Sequence, residues 1–297
     1  MIVNQSNLAG LTTGFNMAFN QSLKEAKEEY KAFATEIASS TAENAYKWLG
    51  TIPRLREWIG EREVQKLEAH GYTIRNRPFE STIAVDRDDI EDDQYGVYTP
   101  LFNNLGQMAG EFPDDLCFEQ LTKGFKEKCY DGKTFFNAQH KINKKEVSNT
   151  TSKKFSRDAY KEGRAQIMSL TDEDGRPLNL VPDLLIVGPK YEEEARLLLE
   201  ADQIEGTTNV YKGTAKLMVS TRLAGEGKED MWFLLCTSRF LKPIIFQKRK
   251  PIQLVQLTKT DDLNVFMKKE FLYGADGRAN AGFGFWQMAY GGSGTAA

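Results

Sequence analysis

The chain has 297 residues, which suits one or two domains. Its 39 basic and 42 acidic residues leave a net charge of −3, which excludes a strongly basic nucleic-acid-binding domain. Its 18 Phe, 11 Tyr and 4 Trp exclude a wholly disordered chain, and three cysteines are too few for a disulfide framework.

The first predicted elements are helical. An apolar stripe with alternating steps of three and four residues predicts a helix, and it consists of Leu23, Ala26, Tyr30, Phe33 and Ile37. Ser40 and Glu43 form a capping-box pattern for a second helix that ends at Gly50, and Pro53 opens a short third helix that ends at Gly60. Such an arm needs a partner for its apolar stripe, either the chain's own body or a neighbouring copy.

A change of period follows. Apolar and polar residues alternate over 72–75 and 79–85 around Asn76-Arg77-Pro78, which predicts a β-hairpin. The acidic run Asp86–Asp93 comes next. It lacks the glycine and the terminal glutamate of an EF-hand loop, so a solvated or partner-facing acidic surface is favoured over a Ca²⁺ or Mg²⁺ site.

Two helices are predicted at the centre of the chain, one from Thr99 to Gly110 and one from Pro113 to about Lys128. A lysine-rich stretch without an apolar period then predicts a loop over His140–Lys154.

The second half has α/β character. A helix is predicted over 156–169 and another from Tyr191. Strands are predicted over 183–187, 215–221, 231–236 and 244–246, and residues 263–290 read as two strands joined around Gly274–Gly277.

The sequence offers no catalytic constellation. The candidate zinc ligands are sparse and separated, so we predict no metal and no cofactor; they are His70, His140, Cys117, Cys129 and Cys236. Both histidines have the neighbours of turn residues, which leaves no Ser-His or Cys-His pair. Residues 225–228 resemble only a fragment of a phosphate-binding loop. The uncharged segments 1–23 and 279–297 are interrupted by Asn and Gly and predict neither a signal peptide nor a membrane span.

Charge complementarity remains. The acidic run and the basic loop can pair within the chain, can pair between copies, or can both stay solvated, and one exposed pair contributes only about 0–1 kcal/mol.

A family resemblance rests on motifs in a fixed order. The runs Trp48-Leu49-Gly50, Glu57-Trp58-Ile59-Gly60, His70-Gly71-Tyr72 and Val85–Asp93 together resemble the major head subunit of Mu-like tailed phages. Pro182–Pro189 resembles the strand and helix that open the A domain of tailed-phage capsid proteins. The resemblance covers most of the chain.

The resemblance implies an α+β fold of the Hong Kong 97 type. The expected units are an N-terminal arm (1–60), an extended hairpin or E-loop (61–94), a P domain with a spine helix and the basic loop (95–182), an A domain (183–256), and return strands with a C-terminal tail (257–297). The implied function is self-assembly, as hexamers and pentamers, into an icosahedral virion shell around double-stranded DNA. Assembly would take place in the bacterial host cytoplasm, without a membrane.

The implied partners are other copies of the chain, with separate scaffold, maturation protease and portal proteins. The absence of a large extra N-terminal domain predicts that separate scaffold. A decoration protein can coat the shell, and contact with packaged DNA would be weak and non-specific. Some capsids of this fold crosslink a hairpin lysine to a neighbour, but no lysine lies between Lys66 and Lys123, so noncovalent locking is predicted.

Candidate contacts between subunits follow from these elements. They are Tyr30, Phe33, Ile37, Arg75, Arg77, Phe79, Asp88, Asp89, Asp92, Lys144 and Lys145. Two other functions remain open: another phage structural subunit, such as a tail-tube or decoration protein, and a metal-dependent hydrolase that uses the Asp86–Asp93 cluster.

Overall fold

The computed structural model describes residues 5–50, 71–92, 94–142, 145–204, 206–259 and 261–295. The α-helices in these ranges are Gln5–Glu25 (α1), Arg87–Glu91 (α2), Thr99–Lys123 (α3), Arg157–Met168 (α4), Glu192–Glu200 (α5) and Leu263–Lys268 (α6). None of the helices in this part of the chain is long and apolar enough to cross a bilayer.

The strands are short except for a pair near the C-terminus. They are Ala34–Ala38 (β1), Glu43–Ala45 (β2), Thr73–Arg75 (β3), Arg77–Asp86 (β4), His140–Ile142 (β5), Lys145–Val147 (β6), Thr150–Thr151 (β7), Leu184–Val187 (β8), Gln203–Ile204 (β9), Thr207–Thr208 (β10), Lys216–Val219 (β11), Trp232–Leu235 (β12), Ile244–Leu257 (β13), Glu270–Phe283 (β14) and Ala289–Gly292 (β15).

The first layer is a sheet of strand order β1-β13-β14-β4. Alternate residues of β14 are buried, as expected for a strand with one covered face. That face packs on α1 and α3, where the rings of Phe15 and Phe102 stack 4.1 Å apart and Tyr273 of β14 meets both edge-on. The long strands are therefore held by two helices that cross one side of the sheet.

Glycines set the close approach of those two helices. A Cβ at Gly106 of α3 would lie 2.2 Å from the carbonyl oxygen of Phe19, and one at Gly110 would lie 2.4 Å from the Cβ of Ala26. The prediction of two helices divided at Gly110 is therefore wrong. One helix of 25 residues runs through Pro113, because these glycines serve helix packing and do not end a helix.

The second layer is a sheet of order β11-β8-β12-β15-β7. Strand β8 is buried along its whole length, which explains its uninterrupted apolar sequence. Several predictions are confirmed here. Helix α4 forms over 157–168, α5 follows β8, and strands form at 216–219 and 232–235. The Ser156 side chain caps α4, and Glu192 pairs with Arg196 on α5.

The predicted helix over 23–37 is wrong. Helix α1 lies upstream and ends at Glu25, and β1 pairs in parallel with β13. Tyr30 and Phe33 are buried in the chain's own core, and the backbone N–H of Tyr30 donates to Asp114 of α3 at 2.6 Å. Their three-residue spacing arises from a 3₁₀ turn that leads into a strand, so it imitates a helical stripe.

The second predicted helix is also wrong, because residues 43–45 form β2 and pair with β3. The third, over 53–60, lies outside the described residues.

The predicted hairpin has the right strands and the wrong partners. Strand β3 pairs with β2, whereas β4 pairs with β14 along ten residues at the edge of the first sheet. Between them the buried Asn76 makes a bend, donating to Ser39 Oγ at 2.9 Å and accepting from Gln247 at 2.8 Å. Pro78 is tolerated because β4 is an edge strand.

Three further expectations change near the basic loop and the C-terminus. The stretch 140–154 contains the short strands β5, β6 and β7, so it is not a plain loop. Residues 270–283 form one unbroken strand. Gly277 does not end it, because this glycine is needed for close packing: a Cβ at this position would lie only 2.7 Å from the side chain of Ile252 on β13. Gly291 and Gly292, within the expected C-terminal tail, lie buried in strand β15.

Strand β13, within residues 183–256, pairs in the first sheet, while β7 and β15, outside that range, join the second.

Candidate functional site

An exposed apolar cluster stands at the end of the first sheet. Leu263, Phe266 and Met267, which we call the apolar tip, are 75%, 81% and 68% exposed on α6. The same short helix turns Val265 into the core. Burial of Val265 therefore fixes α6 in the orientation that holds the other three side chains in solvent.

Hydrogen bonds position the apolar tip between β13 and β14. The Asn264 side chain donates to the carbonyl oxygens of Leu257 at 3.2 Å and Glu270 at 2.6 Å, which ties the last residues of one strand to the first of the next. Lys269 then ends α6 in a left-handed conformation with φ of 57°. The apolar tip is thus an ordered helical turn, held by specific hydrogen bonds between the ends of β13 and β14.

Residues 87–91 of the acidic run form helix α2 beside this tip. Asp86 caps the helix by accepting from the Asp88 N–H at 2.8 Å, and Lys269 reaches the Asp88 carboxylate at 3.2 Å. Asp89 accepts from the Tyr98 hydroxyl at 2.5 Å, a hydrogen bond that raises the pKa of Tyr98. Asp92, at the end of the helix, is exposed. Two of the predicted acidic contacts therefore have partners within the chain, and Asp92 faces solvent.

The basic segment lies far from α2. Its hairpin, β5 and β6, exposes Lys141 and Lys145, and His140 stacks on Trp286 just beyond the end of β14. Strand β14 pairs with Asp86 at its other end, Glu270. The thirteen steps from 270 to 283, at about 3.4 Å each, separate the two ends by roughly 44 Å. Pairing of these two charged segments within one chain is therefore excluded.

The other predicted contact residues divide by exposure. Tyr30 and Phe33 are core residues and offer no surface to a neighbour. Ile37 is half-buried on β1, and Arg75 is exposed on β3. The remaining two lie on β4, with Arg77 exposed over the ring of Phe79 at 5.1 Å and Phe79 packed on the chain's own Phe112 at 4.4 Å.

Lys145 is exposed at the start of β6, and Lys144 lies outside the described residues.

A partly exposed ionic contact ties the first strand to the sheet. The Tyr30 hydroxyl donates to Glu36 at 2.7 Å, and Lys248 of β13 lies 3.3 Å from the same carboxylate. Burial alone would raise the pKa of Glu36, but the hydrogen bond from Tyr30 and the charge of Lys248 outweigh it and lower that pKa. This arrangement holds β1 against β13.

The sequence does not predict the apolar tip, because the pattern from Leu263 onward favours a strand. The available signal was the Asp261-Asp262 pair followed by a mainly apolar segment, Leu263–Met267, that does not alternate strictly; this pattern is typical of a helical turn that begins after an N-cap aspartate.

It also misplaced His140, which is fully buried in β5 and is not a turn residue. Among the described residues, Cys129, Asp131 and His140 bring three potential metal ligands together, whereas the acidic run does not.

Comparisons with known proteins agree on one class. The family model of the Mu-like prophage major head subunit gpT matches residues 8–157, 150–223 and 222–296. The chain is 35% identical to the major capsid protein of Escherichia phage Mu over 289 residues, 97% of this chain and 74% of that protein. It is 36% identical to the Mu-like prophage FluMu major head subunit of Haemophilus influenzae, covering 94% of this chain and 71% of that protein.

Among solved structures, the chain resembles one from the procapsid of bacteriophage JBD30, with a TM-score of 0.64 and 34% identity over 97% of this chain and 75% of that one.

Proposed function

Because this chain belongs to the family of Mu-like prophage major head subunits, we propose that its exposed apolar tip and its two separated charged segments are contacts between copies. The protein is a major capsid protein with the α+β fold of phage capsids, a structural subunit of the virion shell and not an enzyme. Copies assemble as hexamers and pentamers into the icosahedral head that encloses the phage DNA.

The apolar tip is the observation that carries the proposed contacts. Three large apolar side chains on one six-residue helix would be unfavourable in an isolated subunit, and such patches mark interaction surfaces. Burial of each contributes about 1.5–3 kcal/mol. In a shell the same contact repeats at every copy, so a modest contact per subunit supports a stable particle.

The charged segments supply a second, directional contact. Helix α2 and the hairpin of β5 and β6 cannot reach one another within one chain, but α2 of one copy can meet the hairpin of the next. Each exposed ion pair contributes little to the free energy of association on its own. A wrong alignment of two neighbouring copies would bring like charges together, and their repulsion disfavours it. This pairing would set the order of subunits more than their affinity.

A charge-reversal pair tests this contact. Asp92→Lys and Lys145→Glu should each impair particle formation, because each places like charges at the contact, and the double variant should restore it. Asp174→Lys and Lys161→Glu are matched controls at exposed positions elsewhere and should assemble normally. Particle yield is measured by sedimentation. If the single variants assemble like the wild type, or if the double variant gains nothing over them, the charged contact is refuted.

The division into units is part of the proposal. The first sheet with α1 and α3 would form the peripheral P domain, in which α3 is the spine helix. The second sheet with α4 and α5 would form the central A domain. Within the described residues, the N-terminal segment packs on this body. We therefore assign contacts between copies to Ile37, Arg77 and Phe79 on the two outer strands of the first sheet, and to Arg75 on β3.

Separate proteins complete the proposed assembly. A scaffold, a maturation protease and a portal would act with the shell in the host cytoplasm, and a decoration protein can bind outside. Contact with the packaged DNA would be weak and non-specific, as suits a net charge of −3.

A further inference from the structure

A cluster of three different ligand groups lies at the end of the spine helix. Cys129 and Asp131 sit in the turn after α3, and His140 opens β5. The Cys129 Sγ lies 3.2 Å from Asp131 Oδ1, and His140 Nδ1 lies 2.5 Å from Asp131 Oδ2. One ligand atom from each residue falls within 4.8 Å of the others.

The partners of His140 decide where its protons are. Its Nε2 lies 3.2 Å from the carbonyl oxygen of Phe135, which can only accept, and this contact favours the tautomer with a hydrogen on Nε2. In the neutral ring Nδ1 then presents a lone pair to the carboxylate of Asp131. Two lone pairs at 2.5 Å repel unless a positive charge lies between them. That charge is either a proton or a metal cation.

The surroundings match those of a metal-binding histidine. Such a residue donates its second ring N–H to a backbone carbonyl or carboxylate, as Nε2 does here. The ring is held flat on Trp286, with centroids 4.0 Å apart and planes 5° apart. The backbone N–H of Lys133 fixes Asp131 Oδ1 at 2.9 Å. Two of the three ligands are therefore held in place before any ion binds.

The donor set also points to a class of ion. Thiolate, carboxylate and imidazole together suit a borderline divalent cation, above all Zn²⁺, and do not suit Ca²⁺ or Mg²⁺. Cys129 and His140 are buried, whereas the Asp131 side chain is 20% exposed and gives the ion a route from solvent. Tetrahedral bonds of about 2 Å would require Asp131 Oδ2 and His140 Nδ1 to separate by about 0.8 Å.

We propose that Cys129, Asp131 and His140 bind one divalent cation of the Zn²⁺ class, with the fourth position taken by water. Binding releases the Cys129 thiol proton and the proton shared by Asp131 and His140 to solvent. The ion would clamp the turn after the spine helix to β5 and, through the stacked ring, to Trp286. This role is separate from contacts between copies, so the site can be tested on unassembled protein.

Co²⁺ is the probe, because a thiolate ligand gives bound Co²⁺ a sulfur-to-metal charge-transfer band in the near ultraviolet. Full-length protein, freed of metal by chelation and kept reduced, should bind one Co²⁺ per chain and show this band, and Zn²⁺ should abolish it by displacement. Cys129→Ser should lose the band. Cys117→Ser and Cys236→Ser are matched controls at the other two cysteines, both buried, and should keep it.

A second variant protects the test against a folding defect. Asp131→Asn keeps the shape of the side chain and should weaken Co²⁺ binding at least about tenfold, with an unchanged circular dichroism spectrum. No stoichiometric binding of Co²⁺ or Zn²⁺ to the folded wild type would overturn the proposal and leave a proton as the charge in the cluster. Retention of the band in folded Cys129→Ser would overturn it as well.

Discussion

Removal of one exposed ring tests whether the apolar tip holds subunits together. Phe266 is 81% exposed, so Phe266→Ala removes almost nothing from the folded subunit. If a neighbour buries this ring, the variant loses about 2 kcal/mol per subunit, within the usual range for a buried phenylalanine. Since 1.4 kcal/mol is a factor of ten, the protein concentration needed for assembly should rise about 30-fold.

The assay is assembly followed by light scattering over a dilution series, with thermal unfolding of the unassembled subunit as a second readout. Lys268→Ala, on the same helix, is the matched control and should leave the assembly concentration within a few-fold of the wild type. An unchanged assembly concentration for Phe266→Ala would refute the reasoning. So would a large loss of subunit stability, because it would mean that the ring already packs within the chain.

Three further predictions concern the subunit and the particle. Gly106→Ala should lower the free energy of unfolding by about 1–3 kcal/mol in urea titrations, because its Cβ would strike the backbone of Phe19. Gly10→Ala, with open space around it on α1, should raise the free energy of unfolding. Equal effects of the two variants would contradict the packing argument. The lowered pKa of Glu36 stabilises the fold above the ordinary value of 4.5, and this contribution is lost as the pH falls through the folded-state pKa. Glu36→Gln should therefore flatten the acid side of the melting profile, and a profile parallel to that of the wild type would count against the Tyr30–Glu36–Lys248 contact. Mature particles should run as a single-chain band on denaturing gels, since no lysine lies between Lys66 and Lys123; a ladder of covalent oligomers would disprove noncovalent locking.

The parts of the fold that the sequence predicted are those with local causes. Ser156 caps α4 through its own side chain, and the apolar run of β8 needs only burial on both faces. The N-terminal region failed because its burial is set by distant residues. Tyr30 contacts Asp114 and Phe246, so its spacing from Phe33 reflects the core and carries no helical period.

Strand pairing between residues far apart in the sequence could not be predicted from local sequence patterns either. Strand β4 finds its partner about 190 residues further along the chain, and nothing in its alternation distinguishes that strand from a hairpin neighbour. The glycines misled for a related reason. Gly110 and Gly277 look like breaks in a sequence, yet each permits a close contact with another element. Gly110 approaches Ala26, just after α1, and Gly277 approaches Ile252 of β13.

The candidate contact surfaces were partly predictable. Composition alone located the acidic and basic segments, whereas their separation by the length of β14 required the structure. The exposure of the apolar tip depends on the burial of Val265, which fixes the side of α6 that faces the core. The meeting of Cys129 with His140 depends on a turn that brings residues eleven apart into contact, and their spacing matches no standard zinc motif.

Electron microscopy of the purified protein, expressed with its scaffold where needed, tests the central claim most directly. The account predicts closed icosahedral particles whose subunits place the apolar tip and helix α2 against neighbouring copies. Monomers that never close into particles under any condition of concentration, salt or scaffold, or particles whose maps leave α6 in solvent, would contradict it.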